Sequence, residues 1–168
     1  MRSDNSQVYG TVSRILHWSM ALCFGFMLYT GLAGEDTFRA LLPYHKSVGA
    51  ILMVLIIVRT IWAIINRKNR PAPANIFVTL GHFALYLLMI AVPTIALLRQ
   101  YGAARGPLEV FGVKVMEAAA EKIEWTVELA GALHGELAWA LFALTAGHIV
   151  MAIYHQIKGD KILNRMAH

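Results

Sequence analysis

Two histidines, His134 and His148, stand fourteen residues apart in the stretch LHGELAWALFALTAGHIV, which is otherwise almost wholly apolar. An imidazole in such surroundings loses its hydration and must find partners for its nitrogens. On a helix, fourteen residues make almost four whole turns and about 21 Å of rise, so both rings face one side at two separate depths. His17, His45, His82 and His155 also lie in or beside apolar stretches, and only His168, at the terminus, is plainly in water. Six histidines in such company need a shared purpose.

The elements that position them follow from composition. The chain has 168 residues, of which 58% are hydrophobic and only 15% charged, with a mean hydropathy of +0.55. A soluble domain usually carries about 25% charged residues. Four apolar stretches, about 15–34, 44–66, 77–98 and 131–157, are each long enough to cross a hydrocarbon layer of about 30 Å. In lipid each must satisfy its own backbone hydrogen bonds, so each is a helix. The expected fold is an all-α membrane protein, a four-transmembrane-helix bundle forming a single domain over residues 1–168. The first stretch is read as a span, not a cleaved signal, because it is long, holds His17 and lacks a small-x-small exit site. The one cysteine, Cys23, lies inside that span, so no disulfide within the chain is possible.

Orientation follows from the basic residues at the span ends. Arg2 and Arg14 precede the first span, Arg67, Lys68 and Arg70 fill the link NRKNRPAPAN, and Lys158, Lys161 and Arg165 follow the last. The other side has Arg39, Arg99, Arg105, Lys114 and Lys122, diluted by Glu109, Glu117, Glu121, Glu124 and Glu128. Both termini are therefore expected in the cytoplasm. This topology accounts for the isoelectric point near 9.6 and leaves no case for nucleic-acid binding.

Residues 1–13 are expected to extend at the cytoplasmic surface or to form a short interfacial turn there, and GEDTFRALLP to form a short external loop leading to Pro43 and the second span. Pro71 and Pro73 keep the inner link extended, and Pro93 is placed to kink the third span. Residues 99–130 form the one sizeable extramembrane element. Within it, KVMEAAAEKIEWTVELAG reads as a helix over the outer mouth of the bundle, with Val115, Ala119, Ile123 and Val127 on one side.

With the N-terminus inside, His45 and His134 meet near the outer level, and His17 and His148 near the inner one. Two histidines facing each other across a bundle is the geometry of bis-histidine haem ligation. Gly49, Gly131, Gly135 and Gly147 sit beside the proposed ligands, where a macrocycle would pass the backbone, although glycine in membrane helices also serves close packing. Zinc would need three or four ligands at one point. A histidine-rich transporter would use acidic partners at midplane, and the only carboxylate well within a span is Glu136. Arg59, fourteen residues after His45, shares its face and suits a haem propionate at the inner level. Arg14 suits either a propionate or the headgroups. His82 is an alternative ligand opposite His148. His155, one heptad beyond His148, could serve a quinone carbonyl, relay a proton, or be a surface residue.

The residues RILHW (14–18), HKSVG (45–49), Arg59, the fourth span with its two histidines, and the tail KGDKILNRM (158–166) resemble the bacterial cytochrome b561 family over nearly the whole chain. One departure is HGE at 134–136, where the family commonly has His-Glu adjacent, so Glu136 takes no role from it. The resemblance implies a multi-pass di-haem cytochrome b of the bacterial inner membrane, with two haem b held by His17, His45, His134 and His148. It further implies an oxidoreductase like the superoxide oxidase branch, which oxidises superoxide outside and reduces ubiquinone. Two other readings stand beside it: a haem b relay subunit anchoring a soluble dehydrogenase to the quinone pool, fed by another one-electron donor, and a haem-free histidine-rich transporter.

Overall fold

The computed structural model describes residues 2–73, 75–160 and 162–167. Lys161 and His168, counted above in the tail, lie outside the described residues. Four long helices carry the chain: α1 (Thr11–Leu32), α2 (Glu35–Ile65), α3 (Ile76–Gly102) and α4 (Glu124–Lys158). Each is long and apolar enough to cross a membrane. Their outward faces are unpaired by protein, with Leu22 and Phe77 79% exposed and Ile157 82% exposed. Such faces are stable only against lipid.

In the bundle α1 packs on α2, α3 packs on α4, and α2 meets α3. A buried apolar cluster joins Met20, Leu52 and Ile56, flanked by Phe24, Met27, Leu55 and Met89. On α1 it lies between His17 and Thr30, and on α2 between His45 and Arg59. A block of apolar packing thus separates the two histidine levels. Pro93 lies within α3, which continues through it to Gly102.

Three expectations need correction. The segment GEDTFRALLP is not a loop: α2 begins at Glu35 and runs through Pro43. Its first turn carries Glu35 and Asp36, which favour a helix N-terminus, and Arg39 pairs back to Glu35 one turn on. The helix expected from Lys114 begins only at Glu124, as the start of α4, because residues 108–116 form an antiparallel hairpin, β1 (Leu108–Val110) and β2 (Val113–Met116). Its turn, Phe111–Gly112, has φ of +48° and +83°, the primed geometry that matches strand twist. Buried Ser47 on α2 accepts from the Phe111 N–H at 3.1 Å and so holds the turn. The backbone then returns along the end of α3, with Ala119 N–H on the Tyr101 carbonyl and Ile123 N–H on that of Gly102. Only Val127, of the four residues expected on one helical side, lies within α4.

The third correction concerns residues 2–10, which fold back instead of extending. Asp4 is buried; its carboxylate accepts from Gly10 N–H, the Ser13 hydroxyl and Arg70 Nε. Trp62 Nε1 also donates to Ser13, so the N-terminal segment is tied to α1, α2 and the 66–73 link. The Tyr9 N–H bonds the Arg165 carbonyl, and the Trp18 indole bonds that of Met166. Both chain ends therefore share one end of the bundle, the terminus end, and the hairpin marks the other. The short helix α5 (Asn164–Ala167) closes the terminus end, and Gly159 caps α4 with φ +102°.

At Gly102 the end of α3 lies tight against the start of α4. A methyl group there would run into the hydroxyl of buried Thr126. Gly102→Ala is expected to cost about 1–3 kcal/mol through overpacking, read as a lower thermal midpoint in detergent. Adding Thr126→Ala should restore part of the loss. An unchanged midpoint for the single variant would contradict the packing described.

Candidate functional site

The histidines gather at two levels, as the spacing on α4 requires. At the hairpin end the ring centres of His45 and His134 are 6.4 Å apart. At the terminus end those of His17 and His148 are also 6.4 Å apart. A metal–imidazole bond is about 2 Å, and a ring centre lies about 1 Å behind its nitrogen, so two rings on opposite sides of one metal ion would be separated by about 6 Å. Both pairs match that span. Among the described residues no three His, Cys, Asp or Glu side chains converge on a metal-binding point, so the sites offer two ligands each. Two imidazoles with the other positions supplied by a macrocycle is the donor set of haem.

Proton positions at the hairpin end agree with this use. His134 Nδ1 lies 3.1 Å from the Val92 carbonyl oxygen. A carbonyl only accepts, so this nitrogen carries the hydrogen. His45 Nδ1 lies 2.8 Å from Thr30 Oγ1, whose own hydroxyl contacts the Met27 carbonyl. Each ring can then present an unprotonated Nε2, the nitrogen a metal would need. Phe38 covers the edge of His45, with ring centres 5.8 Å apart.

The terminus end is more crowded. His82 reaches His148 with ring centres at 5.4 Å, too close for a metal ion held symmetrically between the two rings. Its Nδ1 donates to the Val78 carbonyl at 2.7 Å. Arg59 arrives at this level as the spacing predicts, but its Nη1 donates to His17 Nδ1 at 2.8 Å. A guanidinium cannot accept, so ligation through His17 Nε2 requires Arg59 to turn to another acceptor, and a carboxylate such as a propionate is the apt one. Arg14 stands one turn before His17 with its Nε buried and without a hydrogen-bond partner among the described residues. It lines a groove with Thr11, Ile15, Trp18 and Met166.

The glycines beside the ligands separate the two uses considered for them. A side chain at Gly131, Gly135 or Gly147 would meet no protein atom within 4 Å. Close packing against a neighbouring helix therefore does not explain them, and the space beside them is open. Gly49 differs, because its missing side chain would touch Met27 at 3.6 Å. Glu136 is exposed on α4.

Near the end of α4, His155 Nδ1 lies 2.7 Å from Asp160 Oδ2. That hydrogen bond holds the Asp160 carboxyl below the usual carboxylate range. Sequence reasoning missed Asp160 as a partner, although a carboxylate just past the Gly159 cap is within reach of the last helical turn. It also missed Thr30, whose only signal was an aliphatic hydroxyl next to Tyr29 near the end of an apolar span.

The sequence profile of prokaryotic cytochrome b561 matches residues 8–168. The chain is also 30% identical to cytochrome b561 homolog 2 of Escherichia coli (strain K12), over an alignment covering 98% of this chain and 93% of that protein.

If the two levels are separate sites, His134→Ala should remove the haem absorbance of the hairpin end and leave that of the terminus end. The visible spectrum of the purified variant measures this. Loss of all haem from correctly inserted protein would contradict separate sites.

Proposed function

Since the chain belongs to the prokaryotic cytochrome b561 family, a family of transmembrane electron-transfer proteins that bind haem b, we propose that this multi-pass protein of the bacterial inner membrane holds two haem b groups. The axial ligands are His45 with His134 and His17 with His148. The observation that carries this reading is the matched ring separation of 6.4 Å at both levels. Haem b, when bound, supplies a one-electron couple at each level. With both termini cytoplasmic, the hairpin end faces the periplasm.

The reaction proposed is superoxide oxidation outside coupled to ubiquinone reduction inside: two superoxide anions and one quinone, with two protons, give two dioxygen molecules and one quinol. A superoxide anion is drawn by unpaired positive charge. Of the basic residues at the hairpin end, Arg39, Lys114 and Lys122 are each paired with a glutamate. Lys46, Arg99 and Arg105 make no ion pair among the described residues and are exposed. Lys46 adjoins His45 in the chain and is the best placed of them. At the cytoplasmic end His155, oriented through Nδ1 by Asp160, holds or delivers a proton at Nε2 for the reduced quinone.

A second reading has its own observation. Phe111, Val113 and Val115 are 61%, 65% and 55% exposed on the hairpin, an apolar surface outside the spans that suits docking of a soluble dehydrogenase. Superoxide-driven quinone reduction by the isolated chain favours the first reading, and its absence favours the second.

Two outcomes test the proposed ends of the path. Lys46→Gln should slow superoxide oxidation about twofold at low ionic strength, the effect of ~0.5 kcal/mol from one charge at about 8 Å in water. The difference should fade as salt screens it. His155→Ala should slow quinone reduction about tenfold or more, while both haems bind and still reduce from the outer donor. Turnover of that variant at the parental rate would mean that His155 is an ordinary surface residue.

A further inference from the structure

Thr30 is buried at 1% exposure, where no water can complete its hydrogen bonding. Its hydroxyl has one hydrogen to donate and lone pairs to accept with. Two groups lie at 2.8 Å, the Met27 carbonyl oxygen and His45 Nδ1. Two oxygens at that distance repel unless a proton lies between them, and only Thr30 can provide it. The hydroxyl hydrogen therefore points to Met27, and Thr30 accepts from His45 Nδ1–H. The result is a directed chain from the imidazole through the hydroxyl to the helix carbonyl, in which each bond polarises the next. The β-branched side chain, bonded back to its own helix, has little freedom to turn away.

We propose that Thr30 is a positioning residue for the outer site. It fixes His45 in the tautomer with a free Nε2 and draws Nδ1 proton density away from the ring, which lowers the reduction potential of the haem at that level. The inference rests on the di-haem reading above. A ligand imidazole that donates a hydrogen bond is more basic and favours the ferric state. At the other level His17 Nδ1 faces the Arg59 guanidinium, which cannot accept its hydrogen, so no equivalent acceptor stands behind that ring. Among the described residues, Thr30 is the one side chain whose hydroxyl accepts from a proposed ligand. Val92 serves His134 through a backbone carbonyl, so Thr30 is the member of the outer pair's support that substitution can remove.

The test is a potentiometric titration of the purified holoprotein, with the two haems distinguished by comparison with His134→Ala. Thr30→Val keeps the shape and removes the hydroxyl; Thr30→Ser keeps the hydroxyl and removes the methyl. Thr30→Val should shift the outer haem to a more positive potential and leave the inner one unmoved, while Thr30→Ser keeps the parental value. If Thr30→Val instead loses the outer haem, retention at the parental potential in Thr30→Ser supports the same role. Unmoved potentials in Thr30→Val, or equal shifts or equal haem loss in both variants, overturn it. Parental protein with fewer than two haems would overturn the di-haem reading itself, a result distinct from two haems with an indifferent Thr30.

Discussion

An imidazole has two nitrogens, and inside an apolar bundle neither can be left to water. That accounting organises this molecule. His134 gives its Nδ1 hydrogen to a backbone carbonyl and His45 gives its own to a buried hydroxyl, which leaves Nε2 on each ring as the nitrogen still to be used. The long helices, their register and the residues around each ring are the means by which those two rings are brought to 6.4 Å between centres. A side chain that bonds one nitrogen decides what the other can do.

The rise of a helix sets the distance between levels. Fourteen residues on α4 put His134 and His148 about 21 Å apart along one helix, and the Met20, Leu52 and Ile56 cluster fills the space between with packed apolar side chains. The two ends differ in their electrostatics. Neutral oxygens surround the outer pair, whereas a guanidinium and a third imidazole, His82, crowd the inner one. Two chemically similar histidine pairs thus sit in unlike fields, a condition under which the two haems proposed would take different potentials.

Much of this was legible in the sequence, for physical reasons. A bilayer imposes span length and helical structure, so four apolar stretches of that length imply four helices. Helical periodicity alone brings His134 and His148 to one face. The extramembrane residues carry no such constraint. Val115, Ala119, Ile123 and Val127 recur at helical spacing, and the Phe-Gly turn that decides for the hairpin is held by Ser47, far away in sequence. The start of α2 was hidden by Pro43, although the acidic first turn argued for a helix. Buried Asp4 could not be foreseen, because its partner Arg70 is a product of tertiary folding. The contact of Arg59 with His17, and that of Thr30 with His45, are likewise properties of the assembled bundle.

The central claim is that four histidines hold two haems at separate depths, and its most direct test is stoichiometry. Protein purified in mild detergent and quantified by amino-acid analysis, with haem measured as the pyridine haemochrome, is expected to contain two haem b per chain. One haem per chain, or none, in fully loaded and correctly inserted protein would contradict the account.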